Sequence, residues 1–256
     1  MIVLDQINYL LIAISFLTII PIKTFARPEK SSLGNSMAYF PIVGLIMGGL
    51  GAVLSLALDQ IMPTQASNVL IILFFVVVTG GLHLDGLADT VDAIASGQER
   101  RGKLKVMKDG AIGPMGVAAV TIVLLLQFIF LNNLTASPRL LAIIVVPALA
   151  RWPMVLLLWR LPAARKDGLA HIFTKETKFA SFLTSSFFTL VVIAGASYRL
   201  GWANLLIIPI LILIAVFAAK VFRYFFGGTT GDTLGATVEL SAVIIFLAIS
   251  LLSTYA

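Results

Sequence analysis

Five of the chain's twelve acidic residues, Asp85, Asp89, Asp92, Glu99 and Asp109, fall in one stretch, GGLHLDGLADTVDAIASGQERRGKLKVMKDGAIGPMG, from Gly80 to Gly116. Five of its eighteen Lys and Arg residues, Arg100, Arg101, Lys103, Lys105 and Lys108, stand among them. Hard carboxylate oxygens suit Mg²⁺ or Mn²⁺, which keeps some waters and takes further oxygens from phosphates. Neighbouring amines suit the phosphates themselves. On a helix, at about 100° per residue, Asp85, Asp89 and Asp92 share an arc of roughly 60°. Carboxylates that close repel one another unless a cation sits between them. A solvated helix end is the plainer alternative. Gly80, Gly81 and Gly86 favour the metal, because glycine permits close backbone approach.

A second run, FGGTTGDTLGATVE, carries Asp232 and Glu239. Setting Gly80 over Gly227 gives six identities in thirteen positions and pairs Asp85 with Asp232 and Asp92 with Glu239. Beyond those positions the match stops, so a duplicated half is only a hypothesis. Glu239 lies within an apolar stretch, where an isolated carboxylate is costly and therefore a candidate for function. The same reasoning applies to Arg151 in PALARWPM, the one cation that no loop claims. It needs a cavity, a carboxylate or a bound phosphate. His83 precedes the first acid and can ligate, donate to a phosphate or cap a helix. Lys108 abuts Asp109, and together they offer a phosphate contact and a metal ligand or base. Lys105 is a weaker phosphate candidate, with contact to anionic lipid as its alternative. Without cysteine there is no thiolate chemistry, and without a P-loop or a Ser-His-Asp pattern acyl transfer and ATP hydrolysis have no support.

These groups must be positioned by elements that are overwhelmingly apolar. Hydrophobic residues make up 59% of the chain and charged ones 12%, about half the charge of a soluble domain. Apolar segments at about 6–22, 37–58, 67–82, 114–131, 140–159, 180–197, 203–222 and 235–253 predict an all-α polytopic membrane protein of about seven or eight spans in one bundle, forming a single catalytic domain over 1–256. The third is short unless its helix continues past His83, and the first is alternatively interfacial. The loops after odd-numbered segments hold fifteen Lys and Arg against two in the others. That places the acidic loops and the basic fifth loop together on the cytoplasmic side. The net charge of +6 is thus explained by orientation, with no need of nucleic acid. The Gly44–Gly48 spacing permits close helix contact, including a homodimer.

GGLHLDGLADTVDA, KVMKDGAIGPMGV, ARW and GGTTGDTLGATVE, in that order, together with FLTIIPI and YFPIVGLIMGG near the N-terminus, resemble the cobalamin (5′-phosphate) synthases, also called adenosylcobinamide-GDP ribazoletransferases. Gly110-Ala111 departs from the Ser, often with a following basic residue, expected there. The resemblance implies a Mg²⁺-dependent enzyme of the bacterial or archaeal cytoplasmic membrane. Such an enzyme transfers adenosylcobinamide phosphate from its GDP-activated form to α-ribazole or its 5′-phosphate and releases GMP. On this chain it implies Asp85, Asp89, Asp109 and Asp232 around the metal, with Asp92 and Glu239 behind them or acting as base. Lys105, Lys108, Arg151, Gly80 and Gly81 would meet the substrate, and His83 would orient it. The nearest rivals are a CDP-alcohol-type phosphotransferase, an aspartate-rich prenyltransferase and a divalent-cation transporter.

Overall fold

The computed structural model describes residues 2–22 and 30–253; Lys23 and Arg27 of the first basic loop lie outside them, as does the side chain of Lys30. In chain order the helices are α1 (Ile2–Leu17), α2 (Lys30–Ser36), α3 (Phe40–Leu58), α4 (Thr64–Val78), α5 (Leu82–Ala95), α6 (Arg100–Val106) and α7 (Pro114–Asn132). They continue with α8 (Ala136–Leu149), α9 (Trp152–Arg160), α10 (Leu169–Glu176), α11 (Phe179–Leu200), α12 (Ile207–Phe225) and α13 (Gly231–Ser253). Six stretches are long and apolar enough to cross a bilayer, and a seventh follows if the bent pair α4–α5 counts as one span. The chain is a helical membrane protein. The apolar part of α1, Leu4–Leu17, falls short of the roughly twenty residues a span needs. The α8–α9 stretch is 78% buried and α13 67%, against 22–44% for the other spans. Those two therefore form the centre, and the rest turn residues such as Phe187, Leu213 and Phe217 outward, as a lipid solvent demands.

Small residues set the closest approaches. A side chain at Gly44 or Gly48 would run into the backbone of Pro147 or Ile144, so α3 and α8 pack backbone to backbone. The Gly44–Gly48 pair is occupied within the chain, which removes it as the basis for a homodimer. At one end of the bundle, buried Arg139 of α8 donates to Asp59 at 2.7 and 3.3 Å, to Asn68 at 2.6 Å and to Ser67 at 3.2 Å. Asn68 in turn donates to Asn132 at 2.8 Å, tying α4 to α7. The acidic motifs lie at the other end.

Candidate active site

Two glycine turns aim the two acidic helices. After α4, Gly80 and Gly81 take left-handed conformations (φ 62° and 71°), and the chain bends by 84° into α5. Before α13, Gly227 does the same (φ 83°). The aligned pair Gly80 and Gly227 thus share a backbone requirement that glycine alone meets without strain. α13 is then started by reciprocal bonds, Thr230 N–H to Thr233 Oγ1 at 2.9 Å and Thr233 N–H to Thr230 Oγ1 at 3.1 Å.

The two helices cross where neither has a side chain in the way. A Cβ on Gly86 would lie 2.6 Å from the Asp232 carbonyl oxygen, and one on Gly235 would lie 3.1 Å from His83 Cα. This crossing draws together acids separated by some 147 residues of sequence. Buried Asp89 sits in the field of Asp85, Asp232, Asp92 and Arg165. Asp85 is exposed at the mouth. A cavity of 110 Å³ opens between His83, Asp85 and Asp232 on one side and Phe16, Leu158 and Phe173 on the other. A larger groove of 670 Å³, lined by Gly80, Gly81 and Thr121, also ends at Asp85.

Arg165 was invisible as a site residue from its sequence context, LPAARKDG, beyond its place in a basic loop. In the structure its guanidinium lies 3.2 Å from Asp232. The loop is held there by a parallel bridge: Ala164 N–H donates to the Thr229 carbonyl at 2.8 Å and Thr229 N–H to the Pro162 carbonyl at 2.9 Å. Lys108 pairs with Asp167 and so ties the third loop to the fifth. Its hydrogen bond and charge hold the exposed Asp167 carboxyl below the ordinary range. The three loops meet at one end of the bundle.

Other expected residues stand elsewhere. Asp92 accepts from Gly113 N–H at 2.7 Å and Gly116 N–H at 2.8 Å, so both of its oxygens cap the start of α7. Asp109 and Lys105 are exposed, and neither lines the two cavities that meet Asp85. Lys103 is buried, with its amine on the Gln98 carbonyl and 5.8 Å from the Phe225 ring centre. Arg151, 2% exposed, donates to the Pro147 carbonyl at 2.5 Å and to Met47 sulfur at 3.1 Å, leaving Nε without a partner. It feels Glu239, which accepts from Gln127 at 2.9 Å, and His83. Arg151, Glu239 and His83 line a second cavity, of 50 Å³. His83 alone of the three also lines the cleft that holds Asp85 and Asp232.

Among the described residues no three carboxylates or imidazoles close around an ion-sized point. The donor set still fits Mg²⁺, which uses one or two carboxylates and draws its remaining oxygens from water and phosphate. Crowding of Asp85, Asp89 and Asp232 against a single arginine leaves the group short of positive charge.

Fold and site define a polytopic helical membrane protein with an acid-rich, arginine-guarded cleft at one end. A family profile described as cobalamin-5-phosphate synthase matches residues 9–250. The chain is 38% identical over 229 residues, 90% of each chain, to the adenosylcobinamide-GDP ribazoletransferase of Desulforamulus reducens. It is 31% identical over 253 residues to that of Thermoanaerobacter sp., covering 97% of this chain and 100% of the relative. With the Acinetobacter baumannii enzyme of the same name it shares 33% over 236 residues, 91% and 93% of the two chains. The chain belongs to the cobalamin-5-phosphate synthase family. No solved structure matches it.

Proposed function

We propose that this chain is an adenosylcobinamide-GDP ribazoletransferase working at the cytoplasmic face of a bacterial or archaeal inner membrane. Its acceptor is α-ribazole or α-ribazole 5′-phosphate. The observation that carries the reading is the Gly86–Asp232 crossing, which gathers the acids of both motifs into one cleft beside Arg165. The distribution of Lys and Arg supports the cytoplasmic side.

Asp89 and Asp232 would hold Mg²⁺, with water and phosphate oxygens completing its shell. The ion supplies neutralisation of phosphoryl oxygens during displacement. Arg165 holds the diphosphate oxygens through its planar fork of donors. Asp85, the exposed member, is the acid that an acceptor hydroxyl can reach, and it takes the hydroxyl proton. The acceptor oxygen forms a bond to the adenosylcobinamide phosphorus while the bridging P–O bond to the guanosine phosphate breaks. GMP leaves with that electron pair. Lys105, Lys108 and Asp109, exposed on the third loop, would contact the outer parts of the substrates. Gly80 and Gly81 keep the backbone thin at the mouth, and His83 forms the floor of the cleft. Asp92 caps α7, Glu239 ties α13 to Gln127 of α7, and Arg151 joins the end of α8 to Met47 of α3.

The test is GMP release from adenosylcobinamide-GDP by the purified protein in the presence of α-ribazole. Release should require a divalent cation and vanish in Asp85→Asn while the variant still inserts. Near-normal turnover by Asp85→Asn removes the centre of the scheme. Cation flux in proteoliposomes without GMP release would replace it with a transporter.

A further inference from the structure

We propose that the groove between α9 and α12 is a binding site for the headgroup of an acidic phospholipid. The groove encloses 470 Å³ and lies outside the catalytic cleft. Its deeper wall is apolar, from Leu156, Ala215 and Ala219, and Val216 beside them is 44% exposed toward the lipid-facing side. Its rim at the cleft end holds Arg160, Lys220 and Arg223, and no carboxylate lines it. A tail and an anionic head are therefore matched in the order in which a bilayer leaflet presents them.

The cations are uncommitted. Among the described residues the three ion pairs engage Lys108, Arg139 and Arg165, none of them in the groove. Arg160 lies 4.9 Å from the Trp159 ring centre, and Trp159 in turn stacks on Phe182 at 4.5 Å, so the guanidinium rests on a fixed aromatic plane. Arg100 donates to the Arg223 carbonyl at 3.2 Å and adds a fourth positive charge nearby. Like charges held together without counter-ions favour an anion from outside. Basic pockets between membrane helices on the cytoplasmic side suit phospholipid headgroups.

The site has a structural consequence. Arg160 directly precedes the loop carrying Arg165, and Arg223 precedes the turn that leads to Asp232. A headgroup spanning them joins the roots of both loops. The proposal does not rest on the identity of the reaction.

The full chain, delipidated in neutral detergent, is incubated with phosphatidylglycerol and phosphatidylcholine of equal acyl length, and bound lipid is read by native mass spectrometry. Phosphatidylglycerol should be retained preferentially. Neutralising Arg160, Lys220 and Arg223 to Gln should reduce that preference by roughly fivefold per cation. Should the triple variant fail to fold, Arg160→Lys and Arg223→Lys provide the test, because both should keep the preference. Arg101→Gln and Arg199→Gln, outside the groove, should also leave it intact. Equal retention of the two lipids overturns the proposal. So does an equal loss of preference in the Arg101 and Arg199 variants, or loss of it in both lysine variants. Displacement of phosphatidylglycerol by inorganic phosphate would make the groove a free-phosphate site and likewise overturn it.

Discussion

Gly86 lies against the backbone of Asp232, with room for hydrogen and nothing larger. An added methyl would stand 2.6 Å from the Asp232 carbonyl oxygen and 2.8 Å from its Cα, neither of which can rotate away. Gly86→Ala should therefore separate α5 from α13 and cost about 1–3 kcal/mol. Activity should fall about a hundredfold, since a shift near 1 Å at a reacting centre has that effect. Gly49→Ala, which meets nothing within 4 Å, is the matched control and should be silent. Equal kinetics for the two variants would show that the crossing does not set the site.

Arg165 should matter to substrate as well as to Asp232. Arg165→Gln is expected to lower kcat/KM for adenosylcobinamide-GDP by about a hundredfold. Arg165→Lys should restore only part of it, because an ammonium cannot reproduce the fork. Unchanged steady-state kinetics in the Gln variant would leave the arginine as a structural partner of Asp232.

Capping and proton transfer make opposite demands on Asp92. Its two bonds to Gly113 and Gly116 predict that Asp92→Ala loses about 2–3 kcal/mol of stability. Asp92→Asn keeps an acceptor oxygen and should recover much of both melting temperature and turnover. A base at this position would instead leave the Asn variant stable and inactive, an outcome that thermal melting and GMP release together would reveal.

At the far end of the bundle, Asp59 should confer an acid limit on stability. Burial pushes its carboxyl up, but hydrogen bonds from Arg139, Ser67 and Ser55 and the charge of Arg139 outweigh that and hold it below the ordinary range. A carboxylate lowered on folding stabilises above its unfolded pKa, about 3.9. That contribution is lost as pH falls through the lower folded value. Melting temperature should therefore drop as pH falls below about 4, and Arg139→Met should flatten this limb. The variant should also be destabilised by about 1–2 kcal/mol at neutral pH, because charge-assisted hydrogen bonds to Asp59 and Asn68 are lost. A melting curve indifferent to both changes would count against the pair.

Sequence alone determined the solvent and most of the spanning helices, and it named the residue types a site could use. A chain with 12% charge has only lipid to fold in, and its apolar segments mark the spans because a helix alone satisfies backbone there. Pro114 marks the start of α7, and the paired glycines mark the two turns. Asp85, Asp89 and Asp232 were legible because carboxylates are scarce and motif-bound. Their convergence was not, since it depends on a crossing between Gly86 and Gly235 that no local pattern encodes. Tertiary structure also sorted equals: Asp92 became a cap, Arg151 and Glu239 met at a second cavity that His83 shares, and Arg165 reached Asp232. Residue type sets what a side chain can do, whereas packing between distant helices sets which neighbours it meets.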